Sequence, residues 1–197
     1  MKKSLSILCL LFLSLSSINA QRTGLEFNFS VVDLLYACFD EDQPSINFIG
    51  FGIGVIEDFP LSDKISVEPA LLYYQKRGVY SKKILEDFYS ISYLEVPVHF
   101  KSKILFDDWF AYLKAGPYIG YGLGAKEHIG ENSYRVKLHN EDSELKDLDV
   151  GVSFGVGMGI NLISLGVLYQ KGLLNISNIT SRTTTTRVFS ISLDILF

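Results

Sequence analysis

Residues 189–197 read FSISLDILF, and this stretch decides the fold. Phe189 and every second residue after it, up to Phe197, are large and apolar, whereas Ser190, Ser192 and Asp194 lie between them. Successive side chains of a β-strand point to opposite faces. An alternation with a period of two therefore predicts a strand that has one apolar and one polar face.

The same alternation recurs seven times upstream, and in several of these segments the face opposite the apolar side chains is rich in glycine. Ile49 to Val55 alternate with three glycines, and Val150 to Ile160 alternate with Ser153 and four glycines. The eight segments are residues 25–31, 49–55, 65–73, 89–100, 109–116, 150–160, 164–170 and 189–197. They predict eight antiparallel strands.

Composition indicates whether these strands belong to a membrane protein or to a soluble one. The chain is 48% hydrophobic with a mean hydropathy of +0.23, yet after Ala20 no stretch approaches the roughly 18 apolar residues of a membrane helix. A soluble β-sandwich or lipocalin-like barrel is the alternative, but it would bury its large apolar face inside. A glycine-rich face is too small to fill such a core. We therefore predict an all-β, eight-stranded, antiparallel up-and-down transmembrane barrel.

The connections between the segments alternate in length. Those after strands two, four and six are short (58–64, 102–108 and 161–162), and those after strands one, three, five and seven are long and polar (33–47, 78–87, 125–149 and 174–185). An outer-membrane barrel has short turns on the periplasmic side and long loops outside. The pattern predicts a protein of the Gram-negative outer membrane with both termini in the periplasm.

The first twenty residues are expected to be a targeting segment rather than part of the barrel. Lys2 and Lys3 precede an apolar core, and residues 18–20 (INA) offer a cleavage site. These features predict a secretory signal peptide over residues 1–20 and a barrel domain over residues 21–197. The alternative is a lipoprotein signal that uses Cys9, but Cys9 lies inside the apolar core, too early for a lipid-modified cysteine.

The mature chain is expected to be acidic and to hold one thiol. Without Lys2 and Lys3, 16 basic residues face 22 acidic ones, a net charge of −6. Clustered Lys and Arg, the mark of a nucleic-acid surface, are missing, so no nucleic-acid partner is expected. Cys38 alone remains after Cys9, so no internal disulfide framework is predicted.

Aromatic residues lie near the predicted strand ends, where amphipathic rings favour the membrane interface. We expect this position for Tyr73, Tyr74, Tyr89, Tyr93, Trp109, Tyr118, Tyr121, Tyr169 and Phe197.

The segment 92–98, SYLEVPV, resembles the Tyr-Leu-Glu-(Ile/Val)-Pro signature of PorT-like outer-membrane β-barrel proteins, here Tyr93, Leu94, Glu95 and Pro97. The glycine-rich stretch 116–124, the stretch 149–159 and the segment YQKGLLNI at 169–176 extend the similarity over the whole mature chain. The resemblance implies an eight-stranded outer-membrane barrel of the OmpA and OmpX size class. It implies no single activity, although it connects some members with protein secretion.

Polar residues on the inward face are the candidate site. By alternation they are Glu26, Asn28, Glu68, Glu95, His99, Tyr112, Lys114 and Asp194. Buried charges need partners, so an ion-pair network across a narrow lumen is expected, with carboxylates in slight excess. The alternative is a gated conduit or a small-ligand site. Pro69, Pro97 and Pro117 are expected at bulges, which would reverse the facing of the residues beyond them.

Catalytic, metal and cofactor sites are not predicted. His128 and His139, with Ser133 and Ser143 nearby, could form a Ser–His pair of a lipid-modifying enzyme, but no spacing is diagnostic. The two histidines with Glu127 or Asp142 are no better as metal ligands. The threonines at 183–186, between Arg182 and Arg187, could bind sugars or phosphates, but such a run is also typical of a strand start.

The sequence supports three hypotheses for function. The first is a structural or accessory outer-membrane protein that acts through its loops or through partner subunits. The second is a narrow or gated pore for small solutes, and the third is a lipid-processing enzyme. Outer-membrane lipid is the expected surrounding partner, and the barrel-assembly machinery is expected to recognise the C-terminal strand that ends at Phe197.

Overall fold

The computed structural model describes residues 21–38, 41–42, 48–79, 88–129, 132–136, 146–177 and 182–197. The predicted signal peptide and its Cys9 lie outside the described residues. Near the ends of some strands only the backbone is described, and this applies to Cys38 and Tyr89.

Ten strands form in the described part of the chain, and eight of them are long. They are β1 (Arg22–Cys38), β2 (Glu41–Asp42), β3 (Phe48–Pro60), β4 (Ile65–Val79), β5 (Phe88–Leu105), β6 (Phe110–Ile129), β7 (Asn132–Val136), β8 (Leu148–Ile160), β9 (Ile163–Gly172) and β10 (Arg182–Leu196).

The eight long strands close into one antiparallel barrel. Each pairs with the next long strand along the chain, and β10 returns to pair with β1 from Gly24–Leu196 to Cys38–Arg182. The short strands β2 and β7 extend β1 and β6 at one end. This confirms the predicted eight-stranded barrel. No helix in the described residues could cross a membrane.

The two ends of the barrel differ. The short connections at 61–64, 106–109 and 161–162 lie at the end where Gly24 pairs with Leu196, which we name the turn end. The tightest turn places Asn161 at φ 52°, a left-handed conformation that asparagine tolerates better than most residues. The longer connections start from the opposite, loop end.

Side chains alternate between the two faces as the sequence predicts. On β8 the pattern is strict from Leu148 to Phe154, with apolar side chains outward and small or polar ones inward. Large apolar residues face outward and are exposed on every long strand; examples are Phe29, Phe51, Tyr73, Phe100, Leu113, Phe154, Leu165 and Ile191. They form a continuous apolar belt that suits lipid acyl chains.

Several strands run further than predicted. Residues 33–38, 125–129 and 182–185 were expected in loops but belong to β1, β6 and β10, and the predicted loop 125–149 also contains β7. Asp149, expected as a loop residue, is a fully buried residue of β8.

The prolines do not reverse the facing of their strands, contrary to expectation. Pairing continues in the same register on either side of Pro69, Pro97 and Pro117. The register shift lies instead between Ser92 and Tyr93 of β5, opposite the glycine-rich segment 122–124. Bulging is easier there because glycine tolerates the backbone conformations of a bulge.

Three tyrosines predicted at the membrane interface point into the lumen instead. Tyr74, Tyr93 and Tyr118 are at most 2% exposed, whereas Tyr73, Trp109, Tyr121, Tyr169 and Phe197 are exposed outside, as expected. Alternation, not aromatic character, decides the facing.

Inward glycines make room for the inward rings. A Cβ added to Gly157 or Gly166, which pair with each other, would lie 2.5 or 2.2 Å from the Tyr112 hydroxyl oxygen. A Cβ on Gly151 would similarly meet the Tyr118 ring at 2.6 Å. The glycine-rich face therefore accommodates aromatic rings that cross the lumen.

Candidate functional site

The polar residues predicted on the inward face all lie inside the barrel. Their exposed fractions range from 0 to 3%, and His99 is buried with them. These residues are Glu26, Asn28, Glu68, Glu95, Tyr112, Lys114 and Asp194. Together with further polar residues, they form two layers across the lumen.

The first layer lies toward the turn end. Lys101 pairs with Glu68 at 2.8 Å, and Lys114 pairs with Asp194 at 3.3 Å across the barrel. The Asn28 side-chain amide donates a hydrogen bond of 2.8 Å to Glu26 Oε1. Because Lys101 Nζ also lies 4.4 Å from the centre of the Tyr112 ring, cation–π attraction adds to the ion pairs.

His99 and Ser153 lie in contact beside this layer, but their geometry does not suit a nucleophile. His99 Nε2 lies 2.7 Å from Ser153 Oγ, which donates its proton to the Gly116 carbonyl at 3.0 Å. A hydroxyl carries one proton, so His99 Nε2–H is the donor to Ser153 in this arrangement. The histidine therefore does not accept the serine proton, as a general base would.

The second layer lies toward the loop end and is centred on Lys76. Lys76 Nζ lies 2.9 Å from Glu95 Oε2 and 3.1 Å from Asp149 Oδ2, and all three side chains are fully buried. The Gln170 side-chain amide donates to Glu95 at 2.6 Å, and Thr186 Oγ1 donates to Asp149 at 3.0 Å. Four strands thereby join through one buried cluster, and β10 joins through Thr186.

Three tyrosine rings enclose the Lys76 ammonium group. Their centroids lie 5.5 Å (Tyr74), 5.1 Å (Tyr93) and 4.8 Å (Tyr118) from Lys76 Nζ. The rings occupy the space between the ion pairs and supply cation–π attraction in a desolvated site. Every member of this layer is at most 2% exposed, so the layer contains no solvent channel.

Sequence reasoning missed Lys76, Lys101, Asp149, Tyr74, Tyr93, Tyr118 and Thr186 as lumen residues. A signal for most of them was present, because alternation from Glu68 reaches Tyr74 and Lys76, and alternation from Glu95 reaches Lys101. The predicted strands end at Tyr73 and Phe100, before these residues are reached. Asp149 follows a long polar segment, so the predicted loop extends to residue 149, although β8 begins at Leu148.

The motif residues of the PorT-like resemblance divide between the two faces. Tyr93 and Glu95 belong to the second layer, and the buried Pro97 follows them on the same face of β5. Leu94 lies between them on the outward face. The motif thus builds the core of the lumen in this chain.

A Ser–His contact is present at the loop end. Ser133 Oγ of β7 lies 2.9 Å from His128 Nδ1 of β6, at an exposed position. His139, Asp142 and Ser143 lie outside the described residues, as does the Glu127 side chain. Among the residues that are described, no group of three His, Cys, Asp or Glu side chains is placed to hold a metal ion.

The threonine run belongs to β10, as its strand-forming character suggested. Thr186 is buried and bonded to Asp149 and Tyr118, so it is not available to a surface sugar. Arg187 faces outward and is exposed.

The closed barrel, its outward apolar belt and its inward polar layers agree with a sequence comparison. Residues 19–181 match the family described as outer membrane protein beta-barrel domain. The chain belongs to this family. Family membership implies residence in the outer membrane of a Gram-negative bacterium. No curated protein sequence matches the chain.

Solved structures are similar at low sequence identity, and that of OprG supports the fold alone. OprG from Pseudomonas aeruginosa has a TM-score of 0.50 at 15% identity, covering 90% of this chain and 96% of OprG. Ail, the attachment invasion locus protein of Yersinia pestis, has a TM-score of 0.47 at 10% identity, covering 91% of this chain and 100% of Ail. The outer membrane enzyme PagL has a TM-score of 0.46 at 11% identity, covering 85% of this chain and 98% of PagL.

The Lys76 cluster predicts a large effect of one substitution. Lys76→Met leaves Glu95 and Asp149 buried without their cation, which is expected to cost about 3–5 kcal/mol of unfolding free energy. Urea unfolding of the full chain in lipid vesicles measures it. The triple variant Lys76→Met/Glu95→Gln/Asp149→Asn should recover most of the loss.

Lys64→Met is the matched control, since Lys64 is exposed at the turn end. It should change the unfolding free energy by no more than about 0.5 kcal/mol. Equal urea midpoints for Lys76→Met and the wild type would show that the buried cluster contributes no net stability.

Proposed function

We propose that this protein is a closed outer-membrane barrel that acts through the strands projecting from its loop end, as an accessory or attachment component. In this proposal the loop end lies at the cell surface and both termini lie in the periplasm. A role in protein secretion is the more specific form that the PorT-like resemblance suggests. The prediction that the chain is not an enzyme stays a prediction.

The observation that carries the proposal is a sheet that continues beyond the apolar belt. The outward apolar residues of β6 end at Leu123, the exposed Lys126 follows, and β6 runs on to Ile129. β5 and β6 have 18 and 20 residues, whereas a tilted strand spans a membrane with about 9–11. The additional residues are expected to extend into the solvent.

This projecting sheet ends in an edge strand. β7 pairs with β6 from Ala125–Val136 to Ile129–Asn132, and its other edge faces no strand of the described chain. A free edge offers unpaired N–H and C=O groups to an extended segment of another protein. Tyr134, 54% exposed, adds an apolar contact. The edge of β7 is therefore the surface on which a partner strand could add.

The filled lumen argues against the alternative of a pore. Side chains that line a water channel keep solvent exposure, yet the members of both layers are nearly or fully buried. An open cleft of about 570 Å³ lies at the turn end, lined by Arg22, Asp58 and Lys103 among others. The two layers lie between this cleft and the loop end.

The closed lumen predicts electrical silence. Wild-type protein inserted in a planar bilayer should give no discrete conductance steps, because the two layers displace the water that ions need. The triple variant Tyr93→Ala/Tyr112→Ala/Tyr118→Ala removes rings from both layers and is expected to conduct. Wild-type steps as large as those of the variant would favour the pore hypothesis instead.

The edge-strand proposal predicts that a proline in β7 abolishes partner binding and leaves the barrel folded. In a hairpin with a two-residue connection, the pair beside the turn exchanges both hydrogen bonds, so the N–H of residue 135 faces the free edge. Arg135→Pro should remove that donor and abolish chemical cross-links to companion proteins in outer membranes. Companions identified by mass spectrometry can be compared with secretion components.

Arg135→Ala is the matched control, because it removes the same charge and keeps the N–H. It should retain at least half of the cross-linked companions. A wild-type barrel that cross-links to no other chain contradicts the accessory role, and equal loss in both variants contradicts strand addition.

A second candidate function is favoured by one contact. Ser133 Oγ and His128 Nδ1 lie 2.9 Å apart on the projecting hairpin, a distance at which an imidazole can activate a hydroxyl. This supports a lipid-processing hydrolase that acts near the headgroups. Mass spectrometry of membrane lipids should then show a product with the wild type that is lost in Ser133→Ala and in His128→Ala.

Ser102→Ala, which alters an exposed serine near the turn end, should leave that product unchanged. Identical lipid profiles with and without the wild-type protein would rule out the hydrolase.

A further inference from the structure

Two basic residues lie side by side on the outer wall at the loop end. Arg187 of β10 is in register with Lys171 of β9, and both side chains are exposed. The next outward pair toward the belt is Phe189 and Tyr169, which are 52% and 41% exposed. The wall therefore presents two cations directly above two aromatic rings.

This arrangement is unfavourable without a counter-charge. Like charges directly opposite each other on neighbouring strands repel, since their Cβ atoms lie only about 4.5–5.5 Å apart. On the far side of Lys171 the register brings an apolar residue, Val152. On the far side of Arg187 it brings Asp33, so one acidic residue stands against two basic ones. The local excess of positive charge favours an anion from outside the chain.

We propose that Lys171 and Arg187 bind the phosphate headgroup of a lipid with net negative charge, in the leaflet at the loop end. The Arg187 guanidinium matches phosphate oxygens bidentately, and Lys171 adds a second cation. The lipid acyl chains lie along Tyr169 and Phe189 and continue over Val167 and Ile191, which are exposed on the same two strands.

The position on the wall selects a lipid rather than a soluble phosphate. Toward the loop end of β9 and β10, each cation is the next outward residue after an aromatic one, and in membrane proteins aromatic rings and headgroups lie at the same level. The turn end is different, because its exposed Arg22 and Lys64 lie among three exposed acids, Asp63, Asp107 and Asp108. We therefore expect the anionic lipid at the loop end of the barrel.

Spin-labelled lipids test the site. The full chain is refolded in phosphatidylcholine vesicles that contain either spin-labelled phosphatidic acid or spin-labelled phosphatidylcholine, and electron paramagnetic resonance gives the fraction of immobilised label. The wild type should prefer phosphatidic acid. Lys171→Gln/Arg187→Gln should reduce the preference by about five-fold or more. The charge-conserving pair Lys171→Arg/Arg187→Lys should retain most of it.

The control has the same change of charge at the opposite end. Arg22→Gln/Lys64→Gln removes one arginine and one lysine that are exposed near the turn end, and it should leave the preference unchanged. An equal loss in both double variants would show a general effect of net charge and overturn the site. An unchanged preference in Lys171→Gln/Arg187→Gln would overturn it as well.

Two further measurements distinguish a lipid site from a free-phosphate site and test whether the lipid stabilises the folded barrel. Excess inorganic phosphate should not displace the labelled lipid; complete displacement would identify a free-phosphate site and overturn the lipid. Phosphatidic acid should raise the urea midpoint of the wild type above that of Lys171→Gln/Arg187→Gln, because a ligand stabilises only the folded form that binds it. In phosphatidylcholine alone the urea midpoints of the two proteins should differ by much less, because no anionic lipid is present to stabilise the wild type.

Discussion

Lipid offers no hydrogen bonds to a polypeptide backbone, and the rest of this structure depends on that constraint. Every spanning strand must have a partner on both sides, so β10 has to return to β1. In a closed barrel the two faces of each strand then lie in two different environments. The outward face meets acyl chains, and the inward face meets the lumen, so alternation in the sequence is a direct consequence of closure.

A barrel of eight strands leaves a lumen only wide enough for side chains. Tyr112 fits because Gly157 and Gly166 lie opposite its ring, and the tyrosines around Lys76 occupy the remaining width. Charges in this space are removed from water, so each lysine has a carboxylate within 3.3 Å. The narrow lumen therefore requires both features: inward glycines make room for the rings, and ion pairs compensate the buried charges.

Alternation explains both what could be predicted and what could not. It placed Glu26, Glu68 and Asp194 inside because their strands are strongly periodic. It could also have placed Lys76 and Tyr74, but the predicted strand ends at Tyr73, and tyrosines near strand ends are interpreted as interface residues. The pairing of Lys76 with Asp149 could not be predicted, because a contact across the lumen depends on strand register and shear. A single sequence does not determine either.

The filled lumen restricts where a specific function can be placed. The second layer joins β4, β5, β8 and β9 through Lys76, Glu95, Asp149 and Gln170. It cannot move without exposing buried charge. The two binding surfaces that we propose are therefore both outside the lumen: the edge of the projecting hairpin and the lipid-facing wall. The first offers unpaired backbone to a protein strand, and the second offers fixed cations to a headgroup. Both lie at the loop end, where the strands extend beyond the apolar belt, so the two proposals place protein recognition and lipid binding at the same end of the barrel.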